Sequence, residues 1–248
     1  VTELVIEGVK KNYETNEGTL EVLRDVTMHV SGKKVVAIVG PSGCGKTTLA
    51  RIIAGLEEKD EGKVMLNGQE INTPVKDIMV VFSSLNLLPW KTVEENIEMG
   101  VWYLPTKQRR RKVTEYIKLV GLEGFEEFYP KELSTSLAIR VELARALARE
   151  SSLLILDDAF SSLDPLSATN LRNELLRFFW KPKRKPDILL VITNNIDEAV
   201  YMADEVFIMS NRPAHIKTKV AITLHHPRRT RDDAFFELVD KITEIITE

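Results

Sequence analysis

The chain has 248 residues, 44% hydrophobic and 29% charged, with a net charge of −3. That is ordinary globular composition for one domain, or one domain with a lobe, and it excludes disorder and a pair of large domains. A sequence pI of about 6.0 gives no electrostatic footprint for nucleic acid, and the single cysteine, Cys44, excludes an internal disulfide.

Leu4, Ile6 and Val9, then Val22, Leu23, Val26, Met28 and Val30, predict short strands broken at Asn16-Glu17-Gly18. Val35 to Val39 is a continuous apolar strand that runs into a Gly-rich loop. A helix is expected over Thr48 to Ala54, with Gly55 as its C-terminal stop. Lys63 to Leu66 and Ile78 to Phe82 read as strands with an Asn67-Gly68 turn between them. From about Pro89 to Arg149 the pattern is helical, with a capping box at Thr92-Val93-Glu94-Glu95 and an apolar stripe from Leu137 to Ala148. Leu153 to Leu156 is a buried strand ending in acids. Asp164-Pro165 starts another helix, and Ile188 to Ile192 and Glu205 to Met209 return to strand. Strands alternating with helices predict an α/β core with a parallel sheet, and the long helical middle reads as an inserted lobe. The apolar runs are too short to cross a membrane, and with neither a basic region nor an apolar stretch at Val1-Thr2-Glu3 no signal peptide is expected. The basic runs Arg109 to Lys112 and Lys181 to Lys185 lack interleaved aromatics and read as solvated surface.

Chemistry concentrates in two places. Gly40-Pro41-Ser42-Gly43-Cys44-Gly45-Lys46-Thr47 fits G-x-x-x-x-G-K-[ST], between a strand and a helix. Glycines let backbone N–H groups curl around phosphate, Lys46 brings a charge to the β/γ phosphates, and the Thr47 hydroxyl suits Mg²⁺. The helix that follows turns its positive end to the anion. Within the loop Cys44 reads as a space-filler rather than a reactive thiolate. The second place is Asp157-Asp158, at the C-terminal end of a buried strand, where α/β folds bind ligands. Asp157 is the natural Mg²⁺ partner of Thr47, and Asp158 suits orienting or deprotonating a water.

Gly40 to Thr48, Leu87-Leu88-Pro89-Trp90, Gly121-Leu122-Glu123-Gly124-Phe125, Leu143-Ala144-Arg145-Ala146-Leu147, Ile196-Asp197-Glu198-Ala199-Val200, Arg212-Pro213 and Pro227-Arg228 together resemble the ATP-binding subunit of an ABC transporter. Among these, the chain is most similar to importers of nitrate, sulfonate, taurine and similar small anions. The resemblance covers nearly the whole chain. It implies one ABC-type nucleotide-binding domain over residues 1–248: a P-loop NTPase core, an antiparallel β subdomain and a helical subdomain at about 89–150. It implies ATP and Mg²⁺ as cofactors, with Tyr13 stacking on adenine and Thr48 completing the phosphate loop. Asp164 falls in the D-loop, and Ser134, Thr135 and Ser136 fall at the signature that meets a partner's nucleotide. The implied partners are a membrane permease, a second ABC ATPase subunit and, indirectly, a solute-binding protein. The implied location is the cytoplasmic face of the membrane, held through the permease.

The departures from the family fall on hydrolysis. Ser83 follows Phe82 where the family has glutamine, and a short hydroxyl cannot reach as an amide does. The signature reads Leu133-Ser134-Thr135-Ser136-Leu137, with side chains where two glycines would let backbone approach phosphate. Asp158 stands for a catalytic glutamate, one methylene short, and Asn194 for a histidine. A misplacement of about 1 Å can cost ~10²-fold, and a lost transition-state donor about 10²–10³-fold. The retained set, Lys46, Thr47, Asp157 and Asp164, serves ground-state binding. Three readings follow: an importer ATPase subunit with impaired turnover, a non-hydrolysing regulatory or assembly subunit, and a P-loop ATPase unrelated to transport. Leu87 to Trp90 and the mildly acidic charge disfavour the third.

Overall fold

The structure, a computed structural model, describes residues 1–16 and 18–247. In chain order the strands are β1 (Glu3–Thr15), β2 (Gly18–Ser31), β3 (Lys34–Val39), β4 (Glu61–Leu66), β5 (Gln69–Glu70), β6 (Ile78–Phe82), β7 (Leu153–Asp157), β8 (Ile188–Ile192), β9 (Glu205–Met209) and β10 (Ile216–Ala221). The helices are α1 (Lys46–Ile53), α2 (Val93–Glu98), α3 (Thr106–Leu119), α4 (Thr135–Ala148), α5 (Pro165–Phe179), α6 (Ile196–Met202) and α7 (Asp233–Thr247). No helix among the described residues is long and apolar enough to cross a membrane. The chain divides into two compact units, Val1–Val75 with Asp187–Glu248, and Lys76–Pro186.

The first unit holds the antiparallel sheet β2-β1-β4-β5. Its alternation is the expected one. Leu4, Ile6 and Val9 are fully buried and face Val30, Met28 and Val26 across the hairpin. β1 and β2 are much longer than the short strands expected, because register shifts let a twisted ribbon continue past each break in the apolar pattern. Of the predicted break at Asn16-Glu17-Gly18, Glu17 lies outside the described residues. Asn67 and Gly68 do form a turn, both at positive φ, but it folds β4 onto the two-residue β5 rather than leading to β6. The same unit holds the buried strand β3, with β8 and β9 parallel on its two sides and β10 antiparallel to β9. β3 is buried over Val35–Val39, as a strand covered on both faces must be. α1 begins at Lys46, two residues earlier than expected, and ends before Gly55 at φ +70°, where a Cβ would meet the Thr73 carbonyl at 2.4 Å.

The second unit holds the parallel pair β6 and β7 with α2 to α5. The capping box forms as predicted: the Glu95 N–H donates to Thr92 Oγ1 at 3.3 Å, and the Thr92 N–H to Glu95 Oε2 at 2.9 Å. Asp164 caps α5 ahead of Pro165, accepting from the Leu166 and Ser167 N–H groups at 3.1 and 3.0 Å. The helical middle is not one continuous run. A 3₁₀ turn at Met99–Val101 brings Gly100 so close to α4 that a Cβ there would lie 2.3 Å from the Arg145 carbonyl. The architecture is therefore α/β, with parallel strands, a separate antiparallel sheet and a helical insertion, as the sequence predicts.

Candidate functional site

The predicted site residues fall in both units. In the first, Gly40–Thr47 connects β3 to α1. Gly43 at φ +73° and Gly45 at φ +119° take backbone conformations that a side chain resists. Gly45 is the N-cap of α1 and, being glycine, supplies no side-chain cap bond, and no acid stands in the first turn. The N–H dipoles of a helix start favour an anion at that end. Lys46 is 5% exposed. Its ammonium curls back over the loop, donating to the Gly40 and Pro41 carbonyls at 2.9 and 2.8 Å, with Cys44 Sγ at 3.9 Å. Ser42, Gly43 and Thr47 are exposed along the same loop. A cationic side chain, an uncapped helix end and open backbone fit a polyphosphate anion. Cys44 is buried, and burial pushes its thiol up in spite of Lys46. That agrees with its reading as a space-filler.

Tyr13 reaches α1 directly. Its hydroxyl lies 3.3 Å from Thr48 Oγ1 and donates to Glu57 Oε1. The Lys11 ammonium stands 5.3 Å from the Tyr13 ring centroid. Burial, then Glu57, raises the Tyr13 pKa. Thus one side chain of β1 is fastened to the helix that follows the phosphate loop. Asn194 is exposed just past β8. β8 pairs in parallel with β3 (Ile38 opposite Ile192), and the Thr193 N–H donates to the Ile38 carbonyl at 3.2 Å. Asn194 and the phosphate loop therefore leave neighbouring strands at the same, C-terminal, edge.

In the second unit Phe82 lies opposite Asp157 in the β6–β7 register. Ser83 and Asp158 thus follow side by side at the C-terminal edge of that pair. Asp157 is 3% exposed. Asp158 sits at φ +49°, a left-handed conformation that short polar side chains tolerate best, and its carbonyl accepts from Ser161 Oγ at 2.7 Å. Ser134 is the N-cap of α4, accepting from the Leu137 N–H at 3.3 Å. Exposed Thr135 and half-buried Ser136 open the helix. Asp164 is exposed, and its bonds to Ser167 hold its carboxyl below the usual range.

Two buried charges escaped the sequence reading. Glu142, 3% exposed on α4, accepts from the Asn86 N–H in the loop after Ser83. A signal was there, since Glu142 is the one acid between Ala138 and Leu147, a stretch apolar otherwise but for Arg140 and Arg145. Arg228, 6% exposed, donates to the carbonyls of Val200, Tyr201 and Ala203 at the end of α6 and to that of Leu224. The sequence marked Pro227-Arg228 by resemblance alone.

A family model described as "ABC transporter" matches residues 23–161. An uncharacterized ABC transporter ATP-binding protein of Methanocaldococcus jannaschii is 39% identical over 247 residues, 99% of this chain and 91% of that protein. The aliphatic sulfonates import ATP-binding protein SsuB of Bacillus subtilis is 37% identical over 91% of this chain and 88% of its own length. The nitrate import ATP-binding protein NrtD of Synechococcus elongatus is 39% identical over 83% and 76%. In fold, the chain is similar to the dimeric structure of an ATP-binding cassette in a post-hydrolysis state with ADP and Pi. The TM-score is 0.78 at 24% identity, over 90% of this chain and all of that one. A family model matched over more than half the chain, and these relatives over most of it, show that the chain belongs to the ABC transporter ATP-binding family.

Proposed function

We propose that this chain is the ATP-binding subunit of an importer for a small anion or organosulfur-type solute, with impaired hydrolysis. The observation that carries nucleotide binding is the phosphate loop: an uncapped α1, left-handed Gly43 and Gly45, and a buried Lys46 turned onto the loop. The solute class is supported by the relatives named for aliphatic sulfonate and nitrate import. Residues 1–248 act as one nucleotide-binding domain with a helical subdomain at about 89–150. It sits peripherally at the cytoplasmic face of the membrane through a permease, paired with a second ATP-binding subunit and served indirectly by a solute-binding protein.

In this reading Gly40 to Thr48 hold the ATP phosphates and Tyr13 stacks on the base. Thr47 and Asp157 are assigned to Mg²⁺ on the motifs that carry them. ATP closes the dimer and product release reopens it, moving the permease. Each ATP meets the partner chain's signature, so Ser134, Thr135 and Ser136 serve the opposite nucleotide and Asp164 the dimer contact. Four departures, at Ser83, Thr135-Ser136, Asp158 and Asn194, weaken the groups that place water and stabilise developing charge. They favour a second reading, a regulatory or assembly subunit in which ATP binding alone holds the complex.

Phosphate release by the purified permease complex decides between the two. Restoring Ser83→Gln, Thr135→Gly, Ser136→Gly, Asp158→Glu and Asn194→His together is expected to raise turnover by about 10² or more, since these groups act as a unit. Brisk turnover by the unaltered chain refutes impairment. Lys46→Ala is expected to abolish ATP affinity, and unchanged binding overturns the cradle.

A further inference from the structure

A carboxylate buried in a helix interior is costly unless it is fully engaged, and Glu142 is engaged in an unusual way. It lies on α4 with its side chain 3% exposed, and burial is the largest influence on its carboxyl, pushing the pKa up. One oxygen, Oε1, accepts the Asn86 backbone N–H and an Arg145 Nη2 hydrogen at 3.4 Å. The same Arg145 nitrogen donates to the Asn86 carbonyl at 3.0 Å. Two side chains one helical turn apart therefore take both backbone groups of a single loop residue.

A second tether lies a few residues on. Asn96, fully buried on α2, accepts the Leu88 N–H at 2.9 Å and donates to the carbonyls of Leu88, Lys91 and Thr92. The segment between Ser83 and Thr92 is thus pinned by buried polar groups at two points. Leu85 and Trp90 meanwhile stand 43% and 70% exposed on it. Without these bonds, a loop with so little apolar burial would open readily.

We propose that Glu142 is a positioning residue that makes the loop after Ser83 move as one body with α4, the helix opened by Ser134, Thr135 and Ser136. Glu142 lies seven residues beyond Thr135, roughly 10 Å along a rigid helix axis. A shift of that helix end carries the Asn86 peptide with it, and with the peptide the exposed side chains of Leu85 and Trp90. The coupling of loop to helix stands on the geometry alone. Its consequence for nucleotide rests on the function proposed above.

Amide hydrogen exchange on the full-length chain without nucleotide tests the clamp. Glu142→Ala keeps a strong helix former and removes the acceptor, so exchange in the 84–91 peptide is expected to rise about tenfold or more, with α4 little changed. Glu142→Gln, which keeps an acceptor oxygen, is expected to restore protection to within about threefold. Unchanged exchange in Glu142→Ala overturns the proposal. So does a rise spread evenly over α4 and the loop that Gln fails to rescue, which marks a merely structural residue. A second arm follows Trp90 emission in a Trp102→Phe, Trp180→Phe background. ATP is expected to shift it, and Glu142→Ala to abolish the shift while ATP affinity stays within about threefold. A shift that persists in Glu142→Ala overturns the coupling. Absence of ATP binding in the parent overturns the proposed function instead, and the exchange result then decides the clamp.

Discussion

Arg228 holds the end of α6, the helix that begins two residues after Asn194. Its side chain is 1% exposed. Nη1 donates to the carbonyls of Val200 at 2.7 Å, Ala203 at 2.6 Å and Tyr201 at 3.3 Å, and Nε to that of Leu224 at 3.0 Å. A seven-residue helix has few bonds of its own, so its last carbonyls need an outside donor. Truncation by Arg228→Ala leaves four acceptors short, each at the lower end of about 1–3 kcal/mol, and removes the packing of the stem. Opposing this is relief of a buried charge, since burial pushes the Arg228 pKa down to about 10 against the pull of Asp204. The balance is a loss of about 3 kcal/mol, in line with truncated buried charge partners. For a chain of this length that is a fall in Tm of roughly 6–12 °C. Arg228→Lys, which reaches fewer carbonyls, is expected to lose about half as much. Calorimetry gives both Tm values, and exchange of the α6 amides shows where the loss falls. A Tm drop below about 2 °C for Arg228→Ala refutes the reasoning.

Gly45→Ala forces a side chain into φ +119°, with a Cβ 2.7 Å from Val22 Cγ1 and 2.9 Å from Leu23 Cδ2. Together these cost about 3 kcal/mol, read by denaturant titration, and lower ATP affinity more than tenfold, read with a fluorescent nucleotide. Gly100→Ala puts a Cβ 2.3 Å from the Arg145 carbonyl. It is expected to cost about 2 kcal/mol by pushing the 3₁₀ turn off α4, and a neutral effect in the same titration refutes that packing. Burial, then Arg228, lowers the His226 pKa to about 4. The unfolded chain therefore binds the extra proton between about pH 6.5 and 4, so this contribution to stability is present above pH 6.5 and lost as pH falls through that window. With its side chain 24% exposed, the loss is on the order of 1–2 kcal/mol. His226→Gln is expected to flatten that limb of the stability profile while leaving pH 7.5 nearly unchanged.

The amino-acid sequence by itself determined the elements whose signals are local. The apolar runs of β3, β7, β8 and β9, the capping box at Thr92, the aspartate cap at Asp164 and the Gly-rich phosphate loop depend on neighbours within a few residues, so spacing alone reveals them. The full length of β1 and β2 and the existence of β5 were not legible, because a ribbon's extent is set by the register of its partner strand. Only the tertiary structure decided what the isolated charges do. Arg228 and Glu142 are bound to backbone groups 25 and more residues away in sequence, and a partner of that kind leaves no periodic trace. The same holds at the site: the pairing of β3 with β8 and of β6 with β7 brings Asn194 to the phosphate-loop edge and Ser83 beside Asp158. Length, composition and a mild negative charge were compatible with all of this and chose none of it, since the choice lies in hydrogen bonds closed between residues far apart in sequence.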